Sequence, residues 1–410
     1  MDKGRMKPSL FLEAFDMATS LAIPINPELL VWARETAGYS VDAAAIKLAI
    51  KPEKLLAVEL GDPNPSFALL KKASDIYKRP LAMFFLAQAP ERQPNIHDFR
   101  LQPGVTQRPY APRLNNEIRQ ARLRRDDALE LAQTLEEPIS PFVHQASADE
   151  APHLVAARVR TILGIELGQQ FAFRRNEDAL KAWKAAVEAQ SVLVFETSRI
   201  TSEEMRGVSL PSDVLPIIIL NGGEAHAGRL FTLLHEFTHL LLRQGGVCDL
   251  VPIDDGTPDA RIEAYCNAVA ANALVPADAL LAELPHQRSH AWEMDELEAF
   301  ACRFSVSRDV VLLRLLALGR TTRRHYEIMS ARFQEESRQA AEGRKKKESA
   351  GGPPPSVMAV RNLGRPYIKL VLSAYSRERI DLSTVSDYLG VKLKHLPRIE
   401  SLIYGREAVA

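Results

Sequence analysis

The chain carries the stretch Leu234-His235-Glu236-Phe237-Thr238-His239-Leu240, a His-Glu-x-x-His pattern in a protein with only 10 His among 410 residues. In a helix, His235 and His239 lie one turn apart and project from the same face. Two such imidazoles can bind one zinc ion, and Glu236 is then held where it can take a proton from a water on the metal. The alternative is a buried helix with two hydrogen-bonded histidines, which is costly without a shared partner.

The flanking residues predict that this motif lies in a buried helix. Apolar residues surround it on nearly every face, which is typical of a helix inside a core. The helical segment starts at Gly228 and closes at Gly245-Gly246, and glycines of this kind end helices. We therefore expect both histidines to be shielded from solvent.

A catalytic zinc site needs a third protein ligand and an open fourth position. The next helical segment, Pro258–Pro276, is rich in alanine and stops at a proline, as a tightly packed helix does. Within it, Glu263 is the candidate third ligand, although a glutamate near a helix start is also favoured by the helix dipole alone. Cys266 is a rival soft ligand, but a single cysteine among alanines is more often a core residue.

Two short segments before the motif predict β-strands. Ser191–Phe195 and Leu215–Leu220 are rich in aliphatic, mostly β-branched residues. A strand beside the zinc helix can hold an extended substrate along its edge. It can equally be an inner strand of the core, and the sequence leaves both alternatives open.

Two stretches carry a family resemblance. The first is Arg229-Leu-Phe-Thr-Leu-Leu-His-Glu-Phe-Thr-His-Leu-Leu-Leu, and the second is Glu263-x-x-Cys-Asn267-x-Val-Ala, followed by Leu274-Val-Pro276. Over roughly residues 150–320 the chain resembles the ImmA/IrrE family of bacterial metallopeptidases. The family's second motif usually has Ala and Phe where this chain has Cys266 and Val269, and both differences are apolar exchanges at packing positions.

The resemblance implies that His235, His239 and Glu263 bind Zn2+ and that Glu236 is the catalytic residue. It also implies a role, because members of this family typically cleave a repressor protein and so switch on transcription. In the implied mechanism, zinc lowers the pKa of its water to about 7. Glu236 accepts a proton as that water attacks the peptide carbonyl, and it then delivers a proton to the leaving amine.

A further hydrogen-bond donor to the tetrahedral anion is common in such sites. Tyr265, Arg229 and His226 are near enough in sequence to be considered as oxyanion or substrate contacts, and the sequence assigns none of them. His226 lies in a segment with several glycines, 221–228, which predicts a solvated loop.

The N-terminal region predicts a succession of short helices, covering residues 27–37, 40–48, 52–60 and 66–77. Short helices joined by tight turns fit a helix-turn-helix domain, and Glu59-Leu60-Gly61 with Pro65 resembles the Xre/Cro-type repressor domain. The candidate DNA contacts are Ser40, Lys47, Lys51 and Lys54.

The predicted recognition helix is nevertheless poor in base-reading side chains. Arg, Gln and Asn are absent from it, and Glu53 and Glu59 add negative charge where phosphates would lie. Two alternatives therefore remain. The domain binds DNA, weakly or as a homodimer, or it has become a protein-interaction module.

The composition is that of an ordinary soluble protein, with 46% hydrophobic and 25% charged residues. The formal net charge is zero, so no global field draws the molecule to nucleic acid or membrane. The chain has no apolar run of transmembrane length and no secretory leader, and its three cysteines form no paired framework. These features predict a cytoplasmic protein that does not bind membranes.

The sequence as a whole predicts an α+β fold that is mainly α. The expected parts are an all-α helix-turn-helix domain (1–90), a linker and connecting helix (91–150), a zincin-like zinc peptidase domain with a small sheet (151–335), a flexible linker (336–356) and a small basic helical C-terminal domain (357–410).

The expected function is that of a zinc-dependent endopeptidase acting on a transcriptional repressor or antitoxin protein. One alternative is a DNA-binding regulator whose peptidase domain is only a sensor or scaffold. Another is a self-cleaving regulator, cut in the linker over residues 88–111. The sequence names neither the target nor the activating signal.

Overall fold

The computed structural model describes residues 22–91, 97–98, 111–248, 257–284, 291–348 and 352–405. These residues form two compact units. The N-terminal unit takes in the chain up to residue 95 together with 109–119, and the second unit takes in 96–108 and 120–410. Among the described residues, no helix combines the length and the apolar character needed to cross a bilayer.

Four α-helices build the N-terminal unit, which confirms the predicted succession. Their bounds are α1 (Pro27–Thr36), α2 (Val41–Leu48), α3 (Pro52–Glu59) and α4 (Phe67–Tyr77), followed by a 3-10 turn over Leu81–Phe85. Side-chain oxygens of Asn26, Ser40 and Ser66 cap the N-termini of α1, α2 and α4. Three residues join α2 to α3, and the first of them, Ala49, has a positive φ of 57° that ends α2.

One buried ion pair ties the first and third of these helices together. Arg34 of α1 donates to Glu59 of α3 through Nε (2.7 Å) and Nη2 (3.0 Å). Because this bidentate pair is buried and satisfied within the unit, Glu59 does not present its charge to solvent. The prediction that Glu59 adds negative charge to a DNA-facing surface is therefore wrong.

The second unit contains the remaining helices and the sheet. The helices of the described residues are α5 (Pro112–Thr134), α6 (Pro152–Leu163), α7 (Leu167–Ala172), α8 (Asn176–Glu188), α9 (His226–Leu241), α10 (Pro258–Leu274), α11 (Ala277–Glu283), α12 (Met294–Phe304), α13 (Arg308–Ala317), α14 (Arg323–Glu348), α15 (Pro355–Leu363), α16 (Arg365–Ser376), α17 (Leu382–Leu389) and α18 (Leu396–Tyr404). This mainly helical architecture with one small sheet confirms the predicted fold class.

Five strands form that sheet in the order β1-β5-β3-β4-β2. Their bounds are β1 (His97–Asp98), β2 (Leu193–Thr197), β3 (Gly207–Leu210), β4 (Ile217–Asn221) and β5 (Gly246–Cys248). Strands β2 and β4 run parallel, whereas β3 runs antiparallel to both β4 and β5. The two predicted strands are thus present as β2 and β4. Since β4 is paired on both sides, it is an inner strand and offers no edge to a substrate.

The core of this unit surrounds helix α9. Leu230, Leu233, Leu234 and Phe237 are almost completely buried in one cluster that also includes residues of α6, α8, α10, α12 and α13. Burying a leucine or phenylalanine side chain contributes roughly 1.5–3 kcal/mol. This packing lets a helix carry charged groups into the interior, because its other faces bury apolar surface.

The C-terminal residues pack on the same unit rather than forming a separate one. Helix α15 lies against β2, and Lys184 donates to the carbonyl oxygen of Arg361 at 2.8 Å. Between α15 and α16, Gly364 has a φ of 73°. A Cβ there would lie 2.7 Å from Glu188 Oε1 and 2.9 Å from the carbonyl oxygen of Val194, so a side chain does not fit.

The structure departs from the prediction in the two linkers. Helix α14 continues to Glu348, so most of the segment 336–356 is helical; ion pairs such as Arg332–Glu336 (3.2 Å), four residues apart, stabilise it. In the segment 88–111, His97–Asp98 forms β1 alongside β5. The other predicted linker residues at 92–96 and 99–110 lie outside the described residues.

Candidate metal centre

Helix α9 brings the two histidines and the glutamate of the motif into the protein interior. His235, Glu236 and His239 are all 0% exposed. Helix α10 packs against α9 and adds Glu263, which is 4% exposed. Charged or polar groups at such depth are expensive to bury unless they are paired or hold a metal.

Three side chains converge on one point. Glu263 lies 3.2 Å from His235 (Oε2 to Nε2) and 3.0 Å from His239 (Oε1 to Nε2). The two imidazole Nε2 atoms are themselves 3.1 Å apart. One ligand atom from each residue can be chosen such that all three lie within 4.8 Å of one another.

An asparagine fixes the orientation of the first histidine. Nδ1 of His235 lies 2.9 Å from Oδ1 of Asn267. Since an amide oxygen only accepts, Nδ1 carries the proton and donates it, which leaves Nε2 of His235 as a lone pair facing Glu263 and His239. Such an outer partner holds the tautomer and the ring of a metal-binding histidine.

The electrostatics of this cluster favour a bound cation. Burial opposes the charge of Glu263, but the charges and hydrogen bonds of His235 and His239 outweigh it and lower the pKa of Glu263 to about 2. Burial likewise opposes the charged form of His235, yet the charge of Glu263 raises the net pKa of that imidazole. Lone pairs and a carboxylate facing one another need a proton or a metal between them.

The donor set suits zinc. Two imidazole nitrogens and one carboxylate oxygen form a common three-residue ligand set for catalytic zinc, and they leave the fourth position for water or substrate. His235, His239 and Glu263 would hold the ion. Cys266 is fully buried but lies outside the converging group, and burial raises the pKa of its thiol well above the usual value. A protonated buried thiol is a poor ligand.

The main chain of β3 lies directly against Glu236. A Cβ added to Gly207 would contact Oε1 of Glu236 and would lie 2.8 Å from its Cδ and 2.7 Å from Cγ2 of Thr232. Only glycine leaves room for the glutamate at this position. Thr232, one turn before Glu236 on α9, hydrogen-bonds Oε2 of Glu224 at 3.4 Å.

The other residues considered from the sequence lie elsewhere. The hydroxyl of Tyr265 donates to the carbonyl oxygen of Ser147 at 3.0 Å. Arg229 is buried in an ion pair with Glu196 (Nη1 to Oε2, 2.5 Å) that anchors α9 to β2. His226 is exposed at the first residue of α9, roughly 13 Å along the axis from His235 at the usual helical rise. The structure brings none of these three to the cluster.

In the N-terminal unit, the four candidate DNA contacts have different surroundings. Ser40 caps α2 by accepting from the backbone of Ala43. Lys47, Lys51 and Lys54 are exposed on or next to α2 and α3. The same helices also expose large apolar side chains, with Ile46 at 76% and Leu56 at 46%.

Sequence reasoning missed two residues of the site. Asn267 stands four residues after Glu263, and that spacing places both on one face of α10, so the pattern could have indicated it. Gly207 carried no such signal, because its requirement arises from a contact between β3 and α9 that is distant in sequence.

Comparison with known protein families agrees with this geometry. Residues 187–316 match the model of the peptidase M78 family, described as the IrrE N-terminal-like domain. The match supports a metallopeptidase of the ImmA/IrrE type. It covers about a third of the chain and includes the three converging residues and Glu236. No curated protein matches the chain.

Proposed function

We propose that the protein is a zinc-dependent endopeptidase that cleaves a transcriptional repressor or antitoxin and so regulates transcription. The observation that carries this proposal is the convergence of His235, His239 and Glu263 beside the buried Glu236. In peptidases with this ligand set, a metal-held water is the nucleophile. The family match supports the reaction class, and the choice of substrate extends it.

Each residue has a defined task in this proposal. His235, His239 and Glu263 hold the ion, and Asn267 keeps Nε2 of His235 directed at it. Zinc, when bound, lowers the pKa of a water and polarises the peptide carbonyl. Glu236 takes the proton of the attacking water at a carboxylate oxygen and delivers it to the leaving amine nitrogen. Burial of Glu236 excludes bulk water from the proton transfer.

The N-terminal unit supports a regulatory substrate. Its helices α2 and α3, joined by a three-residue turn, have the arrangement of a helix-turn-helix. A helix-turn-helix module fused to a peptidase fits an enzyme that acts where transcription is controlled.

The first test is metal content, measured by elemental mass spectrometry after purification. We expect about one zinc per chain in the wild type, as a three-residue site predicts, and a sharp loss in Glu263→Ala. Glu236→Gln serves as the matched control, because it keeps the ligands and should keep the metal. A wild type that takes up no zinc, even when zinc is supplied, would overturn the proposal.

The second test is cleavage. The zinc-loaded protein would be incubated with the repressors and antitoxins encoded near it, with Glu236→Gln in parallel, and products would be identified by mass spectrometry. The same spectra would reveal a cut of the chain itself within residues 88–111, which is the self-cleaving alternative. Zinc binding without cleavage of any of these proteins would retain the metal centre and refute the substrate assignment.

A second candidate function is DNA binding by the N-terminal unit. It is favoured by the exposed Lys47, Lys51 and Lys54 and by the withdrawal of Glu59 into its ion pair with Arg34. A gel shift that weakens with salt and disappears in a Lys47/Lys51/Lys54→Ala variant would support it. The same loss of binding in a control with three lysines changed at another surface would argue for non-specific attraction.

A further inference from the structure

The endopeptidase reaction needs a donor that none of the residues considered so far supplies. When water adds to the carbonyl carbon, the π electrons move onto the carbonyl oxygen, and a cation or N–H group is needed to stabilise that charge alongside the metal. Tyr265 and Arg229 are engaged with Ser147 and Glu196. His226 is exposed at the far end of α9.

Arg206 has the required position in the chain. It directly precedes Gly207, whose main chain abuts the carboxylate of Glu236. Its own carbonyl oxygen accepts from the backbone of Asn221 at 2.9 Å, so the first residues of β3 hold its backbone in place. Its side chain is 35% exposed, whereas Glu236 is wholly buried. Arg206 therefore stands where the buried site gives way to solvent.

The guanidinium of Arg206 is directed to the same side of the sheet as Glu236. Nε of Arg206 lies 3.4 Å from Oε1 of Glu224, and the other oxygen of Glu224 accepts from Thr232 at 3.4 Å. Thr232 is one turn before Glu236, and its Cγ2 faces Gly207. Arg206 is thus tied, through one carboxylate, to the turn of α9 that carries the catalytic glutamate.

A second acid helps to keep the positive charge here. Asp309 of α13 interacts electrostatically with Arg206; burial raises the pKa of Asp309, while a hydrogen bond with Ser330 and the charge of Arg206 partly offset this. The ion pair of Arg206 with Glu224 is long and partly exposed, and such pairs are weak. A substrate oxygen can therefore compete for the guanidinium without breaking a strong contact.

We propose that Arg206 binds the carbonyl oxygen of the scissile peptide bond and stabilises its charge as the tetrahedral intermediate forms, with Glu224 as the residue that positions it. This inference rests on the proposed endopeptidase function. In the step itself, water adds to the carbonyl carbon while Glu236 takes its proton. The oxyanion pair then re-forms the carbonyl as the C–N bond breaks, and the amine nitrogen receives the proton.

The test compares two inhibitors on the zinc-loaded protein by calorimetry. A phosphinic pseudopeptide carries a tetrahedral anion in place of the scissile bond, whereas acetohydroxamate binds the metal without that anion. Loss of one oxyanion donor costs about 10²–10³-fold in similar enzymes, so we expect Arg206→Met to weaken phosphinate binding by about 10²-fold. Acetohydroxamate binding should not change. Arg206→Lys should fall between, because lysine keeps the charge but not the planar fork.

Controls separate this role from a structural one. Arg175→Met removes an exposed arginine that also pairs with an acid, Asp178, at 2.7 Å, and it should leave both affinities unchanged. Glu224→Gln keeps Arg206 but loosens it, so it should weaken phosphinate binding less than Arg206→Met does. With a cleaved peptide, the Arg206 variants should lower kcat more than they raise KM.

The outcomes distinguish this inference from the proposed function. If the wild type binds zinc and acetohydroxamate but binds the phosphinate no more weakly after Arg206→Met, the inference is overturned and the endopeptidase proposal stands. The same conclusion follows if both affinities fall together, because Arg206 then supports the whole site. If the wild type binds neither zinc nor acetohydroxamate, both proposals fail.

Discussion

The two units each bury charged side chains, but they do so in opposite ways. In the N-terminal unit, the fork of Arg34 meets both oxygens of Glu59, at 2.7 and 3.0 Å, and each charge has its complement. In the second unit, His235, His239 and Glu263 turn acceptor atoms toward one another across about 3 Å. The first arrangement is complete as it stands, whereas the second requires a proton or a cation.

This difference separates a buried charge that stabilises a fold from one that serves chemistry. A bidentate pair can stabilise its surroundings only through its own geometry. A set of converging acceptors is destabilising by itself, so the protein around it must supply the stability, as the packing of α9 and α10 does here. The predictions below test this comparison, starting with the largest effect.

Glu236→Gln should abolish most of the activity while leaving the metal in place. The amide cannot accept the proton of the attacking water, and loss of such a group costs about 10²–10⁴-fold in rate. The measurement is kcat/KM on any cleaved substrate together with zinc per chain. Loss of zinc in this variant would mean that the buried glutamate belongs to the ligand set, and the comparison would have to be redrawn.

Arg34→Leu should have the converse effect, on stability alone. Removing one partner leaves the Glu59 carboxylate buried without its counter-charge, and this costs about 3–5 kcal/mol. Hydrogen exchange of α1–α4 should show the lost protection, and zinc content should stay unchanged. The double variant Arg34→Leu/Glu59→Leu is the control, because it removes both charges and should recover much of the loss. A single variant as stable as the wild type would show that the pair is not structural.

Glu188 is an intermediate case, a buried acid that shares its surroundings with Lys184, Glu196 and the backbone N–H of Arg365. Burial raises the pKa of Glu188 to about 7. An acid with a raised folded-state pKa takes up a proton on folding, so it lowers the free energy of unfolding as pH rises from about 4.5 to 7. The shift corresponds to at most about 3 kcal/mol.

Glu188→Gln should remove this dependence on pH. Urea unfolding of both proteins at pH 5 and pH 8 would give the free energies of unfolding, and the wild type should lose more stability than the variant over that interval. Other carboxyl groups titrate in both proteins and cancel in the difference. Parallel pH profiles would show that Glu188 keeps an ordinary pKa.

Asn267→Ala should have the smallest effect, on metal affinity. The outer partner of a metal-binding histidine typically contributes 10–100-fold to affinity, and its loss frees the ring of His235 to change tautomer. Competition with a zinc chelator gives the affinity directly. Asn272→Ala is a matched control on the same helix, since Asn272 bonds only the carbonyl oxygen of Ala268. Equal affinities in the two variants would exclude an orienting role for Asn267.

The sequence predicted the elements whose signals are local. Helices α9 and α10 have strong apolar patterning, a glycine or proline stop and a recognisable motif, so both were predicted nearly at their observed bounds. Strands β2 and β4 have dense aliphatic runs and were predicted to within two residues. Glu263 was selected by spacing and family resemblance, and the structure places it beside both histidines.

The elements that escaped prediction depend on contacts distant in sequence. Strand β3, four residues with a glycine and a serine, has no pattern of its own, and it forms because β4 and β5 lie on either side. Helix α14 was cut short at residue 335 because polar composition suggested a linker, whereas its ion pairs and helix-forming residues extend it to Glu348. The role of Gly207 could not be inferred from neighbours in the chain.

The docking of α15 has a consequence for how the protein can be handled and how it evolves. Strand β2 ends the sheet, and an uncovered edge strand is a template for pairing with other molecules. Helix α15 lies along that strand, and Gly364 approaches the carbonyl oxygen of Val194. A protein shortened at residue 350, where the sequence suggested a domain boundary, would expose a wholly apolar-flanked edge and tend to aggregate. The last fifty residues thus act as a built-in guard on the solubility of the peptidase.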